Sequence, residues 1–324
     1  MRKFLTLFLS FTLCLFVGCG ADSKKAEKPA KKPETQSEET AAQKVIVCWG
    51  DSITEGMGMS NSLHYPAILQ TLVGKNYKVI NTGVGGETTY TILARANAID
   101  FSLISDLTFA EGEATATVEN NKLFVAEDGG EIKFKGRCRQ LPKITVVIGD
   151  NTFDMTYVQT SGTYGVGNVI LTRSDTKSAL TIKKGTKAKF DYSEYFDEVY
   201  CNISLMGAND GGLPANVLIE RNKKIAHTAE KNLYIVPYYD ADYSAEFNAA
   251  FGKEAVEVRK YFQTDAVTDY GITINQKDKD CLSQNAIPAQ FCYNNLPFNC
   301  HLNETGYHAL ANRIYKRGVE LSVW

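Results

Sequence analysis

The strongest constraint on the fold is a repeated pattern in which a short, mostly apolar run ends in a turn of glycine and polar residues. Such runs occupy residues 44–49, 77–80 and 198–206. Short continuous runs of this kind are typical of strands buried on both faces of a parallel sheet. The pattern therefore predicts an α/β domain. Such sheets bind ligands at the carboxyl ends of their strands.

The N-terminus has the pattern of an export signal. Two basic residues precede an apolar stretch over residues 4–18, and Cys19 follows it. This arrangement resembles the signal of bacterial lipoproteins, although Phe16 stands where leucine is usual. An ordinary cleaved signal peptide or an uncleaved anchor shows much of the same pattern. We expect residues 1–18 to be a lipoprotein signal peptide and Cys19 to carry a lipid. That lipid would hold an exported protein on the bacterial cell membrane, facing outside the cytoplasm.

Residues 19–44 are rich in lysine, glutamate and proline and contain almost nothing apolar, which predicts a flexible tether. The chain of 324 residues has 35 Lys+Arg and 37 Asp+Glu, so its formal net charge is -2 and a basic nucleic-acid binder is excluded. A hydrophobic content of 44% is enough for a sizeable core. Beyond the N-terminus no run approaches the roughly 18 apolar residues of a transmembrane helix.

A serine stands at the end of the first predicted strand, in the sequence Gly50-Asp51-Ser52. In this position its hydroxyl can project into the crevice at the sheet edge. Asp and Ser are also typical of a plain turn or a helix N-cap. The tripeptide alone therefore leaves both interpretations open.

Three more segments follow in order along the chain. The second predicted strand leads into the glycine-rich segment 81–89, the third leads into Gly207-Ala208-Asn209-Asp210, and the last segment is residues 301–307, starting at His301. The many glycines of segment 81–89 are also typical of phosphate-binding loops, but this segment lacks the spacing and the lysine of a P-loop. In isolation the tetrapeptide Gly207-Ala208-Asn209-Asp210 would be interpreted as a turn.

Together the four segments resemble the four ordered blocks of the SGNH/GDSL hydrolases, and the resemblance covers nearly all of residues 45–324. It implies a three-layer α/β/α fold with a parallel sheet, and serine esterase activity without a cofactor or metal ion. It implies that Ser52 is the nucleophile and His301 the general base. The oxyanion hole would be formed by the N–H groups of Ser52 and Gly86 and by the amide of Asn209.

One position departs from the family pattern. Most relatives have an aspartate three residues before the catalytic histidine, where this chain has Phe298. A phenylalanine cannot accept the imidazole N–H. The partner that orients His301 must then be a backbone carbonyl, the side-chain oxygen of Asn299, or an acid from elsewhere. A neutral partner stabilises the imidazolium less than a carboxylate does, so we expect a slower or more pH-sensitive enzyme.

Residues 104–197 have a different pattern. Short β-like runs alternate with turn signals such as Gly149-Asp150-Asn151, which predicts a small inserted β-rich domain, a sandwich or barrel. This insert divides the hydrolase domain into residues 45–103 and 198–324. Three aromatic residues could line a sugar site or simply fill a core: Trp49, Tyr157 and Tyr164.

The last third of the chain is predicted to contain a final strand over residues 232–237, an amphipathic helix over 254–262, and a long loop over 264–299. Six of the eight cysteines lie beyond residue 44. Cys48 and Cys201 fall in predicted core strands and are expected to be buried hydrophobic residues. The other four match no zinc-ligand spacing, and one disulfide is plausible within the set Cys281, Cys292 and Cys300.

The sequence thus predicts an exported, membrane-anchored serine esterase whose substrate is an acylated carbohydrate, most simply an O-acetyl or other short-chain ester. Lysophospholipase, thioesterase or acyltransferase activity is the alternative within enzymes. A non-catalytic carbohydrate-binding or assembly protein on the same fold is the alternative outside them. No nucleic-acid partner is expected.

Overall fold

The computed structural model describes residues 42–163, 165–239 and 243–324. The predicted signal peptide, the lipid site Cys19, most of the tether and Tyr164 lie outside these residues. The strands are β1 Lys44–Gly50, β2 Tyr77–Asn81, β3 Phe101–Leu103, β4 Leu107–Phe109, β5 Thr115–Val118, β6 Phe124–Ala126, β7 Glu131–Ile132, β8 Ile144–Ile148, β9 Asn151–Gln159, β10 Gly167–Thr172, β11 Leu180–Ile182, β12 Lys187–Asp191, β13 Cys201–Leu205, β14 Lys231–Ile235 and β15 Ala255–Val256. The helices are α1 Ser52–Glu55, α2 Tyr65–Val73, α3 Thr89–Arg95, α4 Ala215–Lys223, α5 Ser244–Phe251, α6 Arg259–Gln263, α7 Asp265–Asp269, α8 Gln276–Ser283 and α9 Glu304–Glu320.

The predicted parallel sheet is present, with the strand order β15-β14-β13-β1-β2. Its central strand β1 pairs with β13 on one side and β2 on the other, so that Ile46 lies opposite Cys201 and Val79. Each of these strands runs parallel to its neighbour. The mixed α/β class is therefore confirmed.

Both faces of the central strand are covered, as its continuous apolar sequence predicts. Side chains alternate along a strand, and Ile46 and Cys48 accordingly enter one buried cluster together with residues of α2 and α9. Val47 and Trp49 point the other way, into a cluster that contains Ile92 of α3. The chemistry at the end of β1 is thus held by packing on two sides.

The middle of the chain forms an antiparallel sheet with the order β5-β10-β9-β8-β12-β3-β6-β7, beside a two-stranded ladder of β11 and β4. The sheet begins with β3 at Phe101, slightly before the predicted boundary at residue 104. Its hairpin between β8 and β9 turns at Gly149 and Asp150, where Gly149 has a φ of 57°. A positive φ at the first turn position is the reason for glycine there.

The antiparallel sheet shares a core with the parallel one. Val146 and Phe153 of the former belong to the same buried cluster as Val47 and Trp49 of the latter. Of the two interpretations of Trp49 and Tyr157, the core role is confirmed, because both are buried here (2% and 7% exposed), and the indole N–H of Trp49 donates to Asn202. Aromatic side chains in these strands serve packing.

Cys48 and Cys201 are fully buried in their strands, as predicted, and all six cysteines in the described part of the chain are free thiols. No helix in the ranges given above is both long and apolar enough to cross a membrane.

Candidate active site

The serine of the first motif stands where β1 ends and a short helix begins. Asp51 caps α1, since its side chain accepts the N–H of Ile53 at 3.0 Å, and Ser52 is the first helical residue. Gly50 allows this sharp turn, because a Cβ there would overlap Thr54 and the carbonyl of Leu205. The turn places Ser52 at the carboxyl end of the sheet with 8% of its surface exposed.

The structure brings together the two residues predicted for nucleophilic catalysis. His301 Nε2 lies 2.8 Å from Ser52 Oγ, although the two are 249 residues apart in sequence. His301 is held just before α9, whose N-cap Asn303 accepts the N–H of Gly306 at 3.0 Å. Nucleophile and base at hydrogen-bond distance are the geometric signature of an activated hydroxyl.

Burial lowers the pKa of His301 below its usual value of 6.5, and the nearby carboxylate of Glu55 offsets part of this shift. The imidazole is therefore neutral near pH 7. A neutral imidazole has a lone pair on one ring nitrogen and can accept the serine proton.

The second ring nitrogen of His301 has an unusual neighbour, Cys300 Sγ at 3.7 Å from Nδ1. The side-chain oxygen of Asn299 accepts the backbone N–H of His301 at 3.0 Å, so it orders the loop and not the ring. Over residues 42–163, 165–239 and 243–324, no carboxylate pairs with the ring. Phe298, three residues before His301, has a φ of 60° and is 52% exposed. A thiol is a weak acceptor, which leaves the imidazolium less stabilised than a carboxylate would.

The loop after β2 lies beside α1. The carboxylate of Glu55 accepts the N–H of Gly85 at 2.8 Å, and a Cβ at Gly83 would overlap the backbone of Glu55. Gly86, the next residue after Gly85, has a φ of 74°. In the described part of the chain, neither the N–H of Gly86 nor that of Ser52 has a hydrogen-bond acceptor. Both donors are available for a ligand.

The third motif is tied to the same loop. Asn209 Nδ2 donates to the carbonyl of Glu87 at 3.0 Å, which brings this amide next to Gly86. Asp210 accepts the N–H of Thr89 at 2.9 Å and pairs with Arg221 at 2.7 Å. An amide nitrogen carries two hydrogens, so Asn209 retains a second donor. The predicted oxyanion residues thus come together around one loop.

The sequence did not predict the burial of the Asp51 carboxyl or the contacts of Arg139 near the site. Asp51 is fully buried, and burial, reinforced by Asp210, raises its pKa to about 7. Arg139, from the antiparallel sheet region, lies 3.3 Å from the carboxylate of Glu55 and donates to the carbonyl of Met59 at 3.1 Å. No local pattern could reveal either, since burial and contacts between distant segments decide both.

The segment that contains Arg139 also caps the edge of the parallel sheet. The N–H of Asn81 donates to the side chain of Gln140 at 2.6 Å, and Cys138 Sγ donates to the carbonyl of Asn81 at 3.0 Å. These contacts fix the end of β2, from which the Gly86 loop departs.

Comparison with known proteins gives a weak likeness. No protein-family model matches the chain, and no curated protein matches it. The crystal structure of a carbohydrate acetylesterase family member from Sinorhizobium meliloti has a TM-score of 0.35 and 11% identity, over 87% of this chain and 99% of the other. A second solved structure has the same TM-score and identity, over 86% and 99%. At this TM-score neither structure supports an argument about fold or activity.

Proposed function

We propose that the chain is a serine ester hydrolase of the SGNH type that acts through Ser52 and His301. The observation that carries the proposal is the 2.8 Å contact between Ser52 Oγ and the half-buried, neutral imidazole of His301. The available N–H groups of Ser52 and Gly86 and the amide of Asn209 complete a set that acyl transfer requires.

In the proposed reaction Ser52 Oγ attacks the ester carbonyl while His301 Nε2 takes the hydroxyl proton. The carbonyl oxygen becomes an oxyanion held by the N–H groups of Ser52 and Gly86 and by Asn209. His301 then gives its proton to the leaving alcohol, and an acyl-enzyme on Ser52 remains. Water, deprotonated by the same imidazole, attacks the acyl-enzyme; the bond to Ser52 Oγ breaks, His301 returns the proton to that oxygen, and the acid is released.

The substrate we propose is a short-chain ester of a carbohydrate, such as an O-acetyl group. A protein exported and tethered at Cys19 would meet acylated polysaccharides outside the cytoplasm. Replacing Cys19 by serine tests the anchor, since the variant should move from the membrane fraction to the soluble fraction. If it stays with the membrane, lipid on Cys19 is not what holds the protein there.

Hydrolysis of p-nitrophenyl acetate and labelling by a fluorophosphonate test the reaction. The wild type should show both, and Ser52→Ala should show neither. The matched control is Ser60→Ala, which removes an exposed serine eight positions along the same segment and should behave as wild type. A wild type that is neither labelled nor active would refute the enzyme proposal. An enzyme that cleaves only long acyl chains would favour a lysophospholipase instead.

A further inference from the structure

A cavity of about 200 Å³ is lined in part by the loop that carries His301. Its walls include Phe298, Asn299 and Cys300, which directly precede the histidine, together with Tyr239 and residues 284–287. This volume equals several water molecules of about 30 Å³ each and is below the roughly 300–1,000 Å³ of pockets for drug-sized ligands. The cavity is thus matched to a single ring.

The walls carry polar groups that an acyl chain does not need. The side-chain oxygen of Asn299 accepts the backbone N–H of His301. In the described part of the chain, the Nδ2 group of Asn299 has no acceptor. The side-chain oxygen of Asn285 accepts an N–H of Gln263 at 3.1 Å, which fixes the orientation of that amide. Gln284 adds a third amide to the lining. Such a rim suits a ligand with several hydroxyl groups.

Phe298 gives a second, independent indication. A bulky residue with a φ of 60° is a genuine backbone outlier. Outliers of this kind cluster at ligand-binding and active sites. Its ring nevertheless remains 52% exposed and forms part of the cavity wall, so this conformation does not serve to bury the ring. An exposed aromatic face beside amide groups matches a sugar ring, which has an apolar C–H face and a rim of hydroxyls.

We propose that this cavity binds a sugar ring of the ester substrate, with the Phe298 ring against its C–H face and the amides of Asn299 and Asn285 on its hydroxyls. The proposal rests on the proposed esterase function, for which it names a residue that selects the alcohol part of the substrate. Because Phe298 and Asn299 belong to the loop of His301, a bound sugar would lie close to the catalytic base.

Kinetics with mono-O-acetylated methyl glucoside and methyl xyloside, compared with p-nitrophenyl acetate, test the proposal. For Phe298→Ala, the ratio of kcat/KM on the sugar acetate to kcat/KM on p-nitrophenyl acetate should fall about tenfold, with the loss in KM. Phe298→Trp keeps an aromatic face, so its ratio should equal that of the wild type. The control Leu296→Ala removes an exposed apolar side chain from the same loop (48% exposed) and should leave both activities unchanged.

An equal loss on both substrates would overturn the proposal, because Phe298 would then only support the His301 loop. An unchanged ratio would overturn it too, as would a shift confined to longer p-nitrophenyl acyl esters. Saturation-transfer NMR of methyl glucoside and methyl xyloside on Ser52→Ala separates this result from failure of the esterase function. If these sugars bind to Ser52→Ala and adding Phe298→Ala abolishes the binding, the cavity is supported even where an inactive wild type has refuted the reaction.

Discussion

The buried carboxyl of Asp51 should make the stability of this protein depend on pH. Its Oδ1 accepts the N–H of Ile53 at 3.0 Å, whereas its Oδ2 has no hydrogen-bond partner in the part of the chain that the structure describes. Burial disfavours the charged form and, with Asp210 nearby, raises the pKa of Asp51 from 3.8 to about 7.

The sign follows from proton binding. Between pH 4 and pH 7 the folded state holds a proton on Asp51 that the unfolded state has released, so the folded state is favoured at low pH and loses this advantage as pH rises. A shift of about 3 pKa units corresponds to about 4 kcal/mol of unfolding free energy, of which about 3 kcal/mol is lost between pH 5 and pH 8.

Replacing Asp51 by asparagine tests this reasoning, because asparagine keeps the capping oxygen and cannot ionise. The free energy of unfolding is measured in urea for both proteins. The value for wild type minus the value for Asp51→Asn should fall by about 3 kcal/mol from pH 5 to pH 8. Glu87, whose pKa burial also raises to about 7, is present in both proteins and cancels. The control is Asp106→Asn: hydrogen bonds from Lys184 and Lys183 lower the pKa of Asp106, so this variant should keep the wild-type slope. The same slope in Asp51→Asn and wild type would refute the reasoning.

Three further outcomes are expected for the reaction. Asn209→Ala should lower kcat on p-nitrophenyl acetate by about 100- to 1,000-fold, because one oxyanion donor is lost; activity within threefold of wild type would contradict its role. In wild type, kcat/KM should rise with pH and level off with a midpoint below 6.5, because burial lowers the pKa of His301 and only the neutral ring accepts a proton; a midpoint above 7 would contradict this. Arg139→Ala should lower kcat/KM by about threefold, because the partly exposed Arg139 forms an ion pair with Glu55. Arg139→Lys keeps the positive charge and should lose less. Unchanged kcat/KM in both variants would show that this ion pair does not contribute to the reaction.

The parallel sheet could be predicted because each of its main strands is a contiguous run with its own turn. β15 could not, since it is only two residues long and exists through pairing of Ala255 with Tyr234, far away in sequence. The helix predicted over residues 254–262 is confirmed only in its second half, where α6 begins at Arg259, while Ala255 and Val256 form β15. The long loop predicted over residues 264–299 contains helices α7 and α8, and Asn275 and Asp278 form a capping box at the start of α8.

The candidate site, too, could be predicted only in part from the sequence. Ser52 and His301 could be found because each lies in a short motif that the eye can recognise. What faces the second nitrogen of His301 could not, because it depends on how a loop without regular structure turns at Phe298. Of the candidate partners, Asn299 binds the backbone of His301, and the ring nitrogen Nδ1 contacts Cys300 Sγ, which was not among the candidates.

The inserted sequence contacts this site through the segment between β7 and β8. Arg139 pairs with Glu55 at 3.3 Å, and Glu55 accepts the N–H of Gly85 at 2.8 Å, one residue before Gly86. A chain of two contacts therefore runs from the inserted sequence to the loop that presents an oxyanion donor. The same carboxylate also raises the pKa of His301 and so offsets part of the effect of burial. The inserted sequence is thus connected through Glu55 to the loop that contains Gly86, and the Arg139 variants measure whether this connection affects the reaction.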